Sequence, residues 1–217
     1  MRVATAGANR RRPAVVVGRV LVLFALIAPT YLLSTQSPIR ANAAGPPDAA
    51  PPSCGCHGSD AARAAVEIVG LPAAGFTAGT TYDLTVRLTD PDRSVAANAA
   101  WGFELIVAGG LTLADVNTAG GTLTVTDATN TQLSNNKYLK HTETGTYAGA
   151  KTGSADWTFR WTAPDLPGVR FWVAGNAANN DGGTGGDHIA FTSPRVSRTA
   201  PVAVVRRSWG QVKAAYR

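Results

Sequence analysis

Thr81-Tyr82-Asp83-Leu84-Thr85-Val86-Arg87-Leu88-Thr89 alternates without a slip. Tyr82, Leu84, Val86 and Leu88 fall on one side, while Thr81, Asp83, Thr85, Arg87 and Thr89 fall on the other. A period of two is the signature of a strand with one face buried and one wet. Asp156 to Thr162 repeats the pattern, with Trp157, Phe159 and Trp161 inward and Asp156, Thr158, Arg160 and Thr162 outward. Working outward from these two, further strands are expected at Ala65 to Val69, Trp101 to Val107, Thr122 to Thr126, Lys137 to His141, Val169 to Ala174 and His188 to Thr192. Turn-forming clusters separate them, as at Asp90-Pro91-Asp92 and Pro167-Gly168. About eight short strands with no ten-residue helix between them exclude a doubly wound fold and predict an antiparallel β-sandwich. Trp101, Trp157, Trp161 and Phe171 are its expected core. Trp172 falls on the opposite face from Phe171 and is the best candidate for a sugar platform.

The first segment reads as a targeting device. Arg10, Arg11, Arg12 and Arg19 precede an apolar run from Val20 to Leu33 that is short and interrupted by Pro29. Ala41-Asn42-Ala43 supplies a small-x-small cleavage pattern, so residues 1–43 are expected to be a signal peptide and to leave no membrane span in the mature chain. Residues 44–53 are a proline-rich linker expected to pack poorly. The sandwich is expected over 54–193, flanked by a disordered leader and a disordered tail. Residues 194–217 form that basic tail, in which Trp209, Val212 and Tyr216 stand at the spacing of a short amphipathic helix.

Removing the leader cancels the basic character of the chain, because residues 1–43 contain six Arg and no acid. Fourteen basic residues then face fourteen acidic ones, and residues 44–187 alone are acidic. A nucleic-acid partner for the body is therefore unsupported. Export places the only two cysteines, Cys54 and Cys56, where thiols are oxidised unless something occupies them. The expected location is the periplasm, the cell surface or the extracellular space, with a cell-surface or envelope component as partner.

Several stretches resemble a known family. Trp101-Gly102-Phe103-Glu104-Leu105, Tyr138-Leu139-Lys140-His141-Thr142 and Trp161-Thr162-Ala163-Pro164 resemble the successive signatures of Reeler-type domains. The opening Cys-x-Cys-His-Gly and the stretch from Ala174 to Ile189 resemble the bacterial relatives called choice-of-anchor V domains. The resemblance covers roughly residues 53 to 192. It implies an immunoglobulin-like antiparallel sandwich, exported and attached to the cell surface by interchangeable C-terminal signals. It transfers no catalytic set. Relatives often open with Cys-x-x-Cys-His, whereas this chain carries Ser53 where the first cysteine would fall.

Ser53-Cys54-Gly55-Cys56-His57-Gly58 is the most reactive segment, and three chemistries suit it. A c-type haem needs thiols for its vinyl groups and a histidine directly after the second thiol. Cys56 and His57 keep that second half, with His141 or His188 as the opposite axial ligand of an electron carrier or sensor. Alternatively, Cys54, Cys56, His57, His141 and His188 offer the thiolate and imidazole set that suits copper or zinc. The third chemistry is a tight Cys54–Cys56 disulfide, strained and easily reduced. The loop from Asn176 to Asp187 is a second candidate site. Its glycine-rich end fits one copy of a calcium-binding nonapeptide, with Asn176, Asn179, Asp181 and Asp187 as oxygen ligands. No nucleophile elbow, metalloprotease helix or phosphate-cradling loop is visible, so an enzyme is unsupported. The functional expectation is a non-enzymatic surface module for binding or adhesion, with a haem- or metal-binding redox protein as the alternative.

Overall fold

The computed structural model describes residues 45–52, 57, 63–110, 117–199 and 213. The strands are β1 (Ala65–Val69), β2 (Thr81–Thr89), β3 (Ala100–Gly109), β4 (Thr122–Val125), β5 (Thr131–Ser134), β6 (Tyr138–His141), β7 (Ser154–Thr162), β8 (Gly168–Ala178), β9 (His188–Thr192) and β10 (Arg195–Ser197). They build an all-β antiparallel sandwich. One sheet has the order β1-β2-β7-β4, and the other has the order β10-β8-β3-β6-β5 with β9 added beside β8.

The alternation in β2 becomes packing through its register with β7. Leu84 faces Phe159, Val86 faces Trp157, and Tyr82 faces Trp161. These side chains meet the inner face of the second sheet, where Trp101, Phe103, Leu105, Phe171 and Val173 are all buried. Trp101, Trp157, Trp161 and Phe171 are each no more than 1% exposed, as their spacing predicts. The indole N–H groups of Trp157 and Trp161 donate to the carbonyls of Gly145 at 2.9 Å and Gly120 at 2.8 Å, so these rings are buried without orphaned donors.

Two strands escaped the pattern. Thr131-Gln132-Leu133-Ser134 and Arg195-Val196-Ser197 are too short and too polar to show a period, and pairing with β6 and β8 makes them strands. The sheet thus continues past residue 193. Thr199 reaches back to close an isolated connection, its N–H donating to the Phe76 carbonyl at 2.8 Å. β8 also runs four residues beyond its expected end at Ala174, carrying Asn176 into the sheet beside Gly102 of β3.

β3 is covered on both faces, whereas Arg170, Trp172 and Asn176 on the outer face of β8 are half-buried. From Trp101 to Gly109 every residue of β3 is buried, including the outward-facing Glu104, Ile106 and Ala108. The described part of the expected linker helps to cover this outer face instead of packing poorly. Lys140 Nζ donates to the Pro46 carbonyl and to Asp48 Oδ1, both at 2.8 Å, and Ala49 N–H donates to Glu104 Oε1 at 3.0 Å. The signal peptide over 1–43 lies outside the described residues, as do Cys54, Cys56 and all of the expected tail helix except Lys213. Among the described residues no helix is long and apolar enough to cross a membrane.

Candidate functional site

The end of the β8–β9 pair gathers most of the candidate residues. Asn176 stands opposite Ile189 and Ala177 opposite His188, so Asp187 enters β9 beside Asn176 and His188. The connecting turn folds on itself. Asn180, Gly182 and Gly186 have φ of 60°, 78° and 73°, the left-handed region that glycine and asparagine tolerate best. Asp181 Oδ1 accepts Gly183 N–H at 2.7 Å, and Asn179 Nδ2 donates to Asp181 Oδ2 at 2.9 Å and to the Gly185 carbonyl at 3.1 Å. The four expected calcium ligands are therefore close in the fold, but the carboxylates of Asp181 and Asp187 already accept hydrogen bonds from within the loop and its neighbours.

Asp187 is the centre of this end. Its side chain is fully buried, and its Oδ1 accepts Asn179 N–H at 3.1 Å. Its Oδ2 lies 2.6 Å from His57 Nδ1 and 3.2 Å from Asn176 Nδ2. Burial pushes its pKa up, but hydrogen bonds from His57, Asn179 and Asn176 outweigh burial and hold the carboxyl below the usual carboxylate range. Asn176 Nδ2 also lies 3.1 Å from His57 Nδ1. A carboxylate can only accept, so the short contact assigns the proton to His57 Nδ1, which donates to Asp187. His57 Nε2 is then the ring nitrogen without a proton.

A second buried carboxylate stands behind a second imidazole. His188 Nδ1 lies 2.6 Å from Oδ2 of Asp90, whose side chain is fully buried. Arg93 sits 3.9 Å from Asp90, donating to the carbonyls of Ala177 at 3.0 Å and Gly186 at 2.6 Å. The Asp90-Pro91-Asp92 turn is thereby locked to the β8–β9 end. Asp90, Asp92 and His188 bring ligand atoms within 4.8 Å of one another, the group of that kind found among the described residues. Asp92 Oδ1 also accepts from Arg63 at 2.9 Å, and Asp92 N–H donates to Asp90 Oδ1 at 2.9 Å. The Asp90-Pro91-Asp92 stretch reads in the sequence as a turn, and no local signal joins Asp90 to a histidine ninety-eight positions away.

His141 has a different task. It is 6% exposed, and its Nδ1 accepts the Phe103 N–H at 3.0 Å where the β3–β6 ladder ends. A Cβ at Gly102 would stand 2.8 Å from His141 Cε1, so glycine there makes room for the ring. His57, His141 and His188 do not form a common three-ligand group. Trp172, the sugar-platform candidate, has the Arg170 guanidinium stacked 4.0 Å from its ring centre.

Fold and site together define an antiparallel β-sandwich with two carboxylate-backed histidines at one end. No protein-family model matches the chain, and no curated protein matches it. Solved structures similar to it include the reeler domain of human F-spondin, at 17% identity, covering 64% of this chain and 91% of that one, with a TM-score of 0.41. The major pilin subunit BcpA of Bacillus cereus is similar at 10% identity over 62% of this chain and 40% of that one, with a TM-score of 0.39. The bacterial hydrophobin BslA is similar at 13% identity over 67% and 98%, with a TM-score of 0.34. Likenesses this distant carry no argument about function.

Proposed function

We propose that the chain is an exported, non-enzymatic β-sandwich module that binds a cell-surface or envelope component, with Cys54-Gly55-Cys56-His57 as its reactive segment. The leader-like residues 1–43 and the resemblance to Reeler-type and choice-of-anchor V domains support export and surface attachment. The observation that carries the choice of site is the 2.6 Å contact between His57 Nδ1 and the wholly buried Asp187. Burying a carboxylate is costly unless it is paired and hydrogen-bonded. Spending that burial on one histidine fixes its tautomer and leaves Nε2 to act. Ligating histidines are usually held from behind in this way.

The same observation favours a second reading, a redox protein holding a c-type haem or a copper or zinc ion through Cys56 and His57. Cys56 would offer one thioether and His57 one nitrogen to such a group, because Ser53 stands where a second vinyl-binding cysteine would be. A bound haem would supply one-electron chemistry there, and His57 would contribute its Nε2 while Asp187 holds the ring.

Visible absorption, intact mass and metal content of the purified exported protein separate the two. The module reading predicts a colourless, metal-free protein whose mass is that of the cleaved chain, with Cys54 and Cys56 either reduced or joined. A Soret band with a mass increase of one haem, or a stoichiometric copper or zinc, overturns it in favour of the redox reading.

A further inference from the structure

We infer that residues 45–52 are a strap that Glu104 holds shut in its neutral form and loosens when it ionises. The strap crosses the outer face of β5, β6 and β3, and each of these contributes to holding it. Asp48 accepts from Ser134 Oγ at 2.8 Å, Asn135 Nδ2 at 2.7 Å and Lys140 Nζ at 2.8 Å. Gly45 passes so close to the sheet that a Cβ would stand 2.9 Å from the His141 carbonyl oxygen. Ala49 closes the strap over β3 by donating to Glu104 Oε1 at 3.0 Å.

Glu104 is the weak point of this arrangement. It is 2% exposed, and its Oε2 is buried with no hydrogen-bond partner. A neutral carboxylic acid tolerates that position, whereas a carboxylate there is an incompletely compensated buried charge. Two charged groups face it. Lys140 is its cross-strand partner on β6, and Asp48 belongs to the strap itself. On β8 its partner is Ala174, with the uncharged Trp172 and Asn176 in the adjacent rows and Arg170 stacked over Trp172. Lys140 is already shared between Asp48 and the Pro46 carbonyl. Once Glu104 ionises, it competes with Asp48 for that single ammonium, or draws in water. Either response weakens the strap.

Burial pushes the Glu104 pKa up to about 7 from 4.5 while the strap is closed. Opening restores contact with water and the ordinary value. Between the two values the closed strap holds a proton that the open one has released, so closure weakens with rising pH and levels off above about 7. The strap precedes the Cys54-Gly55-Cys56-His57 segment in the chain. The strap itself stands whether or not that segment binds anything.

Amide hydrogen exchange on the full exported protein, corrected for the intrinsic pH dependence of exchange, tests this. Protection of the peptide spanning 45–52 is expected to fall roughly ten-fold per pH unit between about 5 and 7 and then flatten. Glu104→Gln is expected to abolish the slope. Asp48→Asn, which leaves Glu104 in place, is expected to lower protection at every pH and keep the slope. A wild-type protection that is constant across this range overturns the inference, as does a slope that survives in Glu104→Gln or vanishes in Asp48→Asn. None of these outcomes bears on whether the protein carries haem or metal, which the absorption and mass measurements decide.

Discussion

Trp161→Ala is expected to lower the unfolding free energy by about 4 kcal/mol, read from urea denaturation at fixed pH. Trp161 is wholly buried on β7 at the centre of an aromatic cluster. Phe76 and Phe171 meet it edge-on at 5.4 Å and 5.0 Å between ring centres, and Tyr82 stacks on it at 5.6 Å. Two effects add. The indole leaves a cavity between sheets whose backbones are fixed by ladder bonds, so neighbours refill it only in part. The Gly120 carbonyl also loses the donor it now has at 2.8 Å, and a buried acceptor left alone costs about 1 kcal/mol or more. Trp161→Phe keeps most of the ring packing and is expected to lose about half as much. A loss below about 2 kcal/mol for the alanine variant would mean that Trp161 does not bridge the two sheets.

The second large effect belongs to pH. Glu104 titrates near 7 in the folded protein against 4.5 ordinarily, because burial disfavours its charge. A raised value means that the folded state holds the proton more tightly than the unfolded state. The contribution of Glu104 to stability is therefore fully present below about pH 4.5, declines as pH rises to about 7, and is gone above that. The full span corresponds to on the order of 3 kcal/mol, an upper figure because water entering beneath residues 45–52 would relieve part of it. Asp48, Asp127 and Asp187 are shifted the other way, below 3.8, so their contributions are lost only at lower pH. Glu104→Gln is expected to remove the decline and to be the more stable protein at about pH 8. Urea midpoints measured across this range for both proteins check it. Parallel curves would show that Glu104 is not the group responsible.

The sandwich was legible because burial of one face writes itself into strands of nine residues such as β2 and β7. β5 and β10 were not legible, since Thr131-Gln132-Leu133-Ser134 and Arg195-Val196-Ser197 each hold a single apolar residue, which shows no period. The role of the prolines at 46, 47, 51 and 52 was misread for a related reason. Proline spoils helices and ladders, but it does not prevent the carbonyl of Pro46 or the side chain of Asp48 from binding Lys140. The candidate site was legible in its parts and not in its pairings. His57 and Asp187 each stood out in the sequence for separate reasons, one for haem or metal and the other for calcium. Their contact spans 130 positions and depends on the β8–β9 register, which no local pattern contains. Asp90 was hidden in the same way, its turn chemistry concealing a fully buried carboxylate behind His188.

The choice of site rests on Asp187 fixing the His57 tautomer, with the proton on Nδ1 and Nε2 bare. Long-range proton–nitrogen correlation NMR of the ring, in protein with Cys54 and Cys56 reduced and no metal added, reads this directly. In the neutral ring of His57 the proton is expected on Nδ1 with Nε2 bare, and that preference is expected to be lost in Asp187→Asn. A His57 ring protonated at Nε2 in the wild type, or the same tautomer with and without the Asp187 carboxylate, would contradict it.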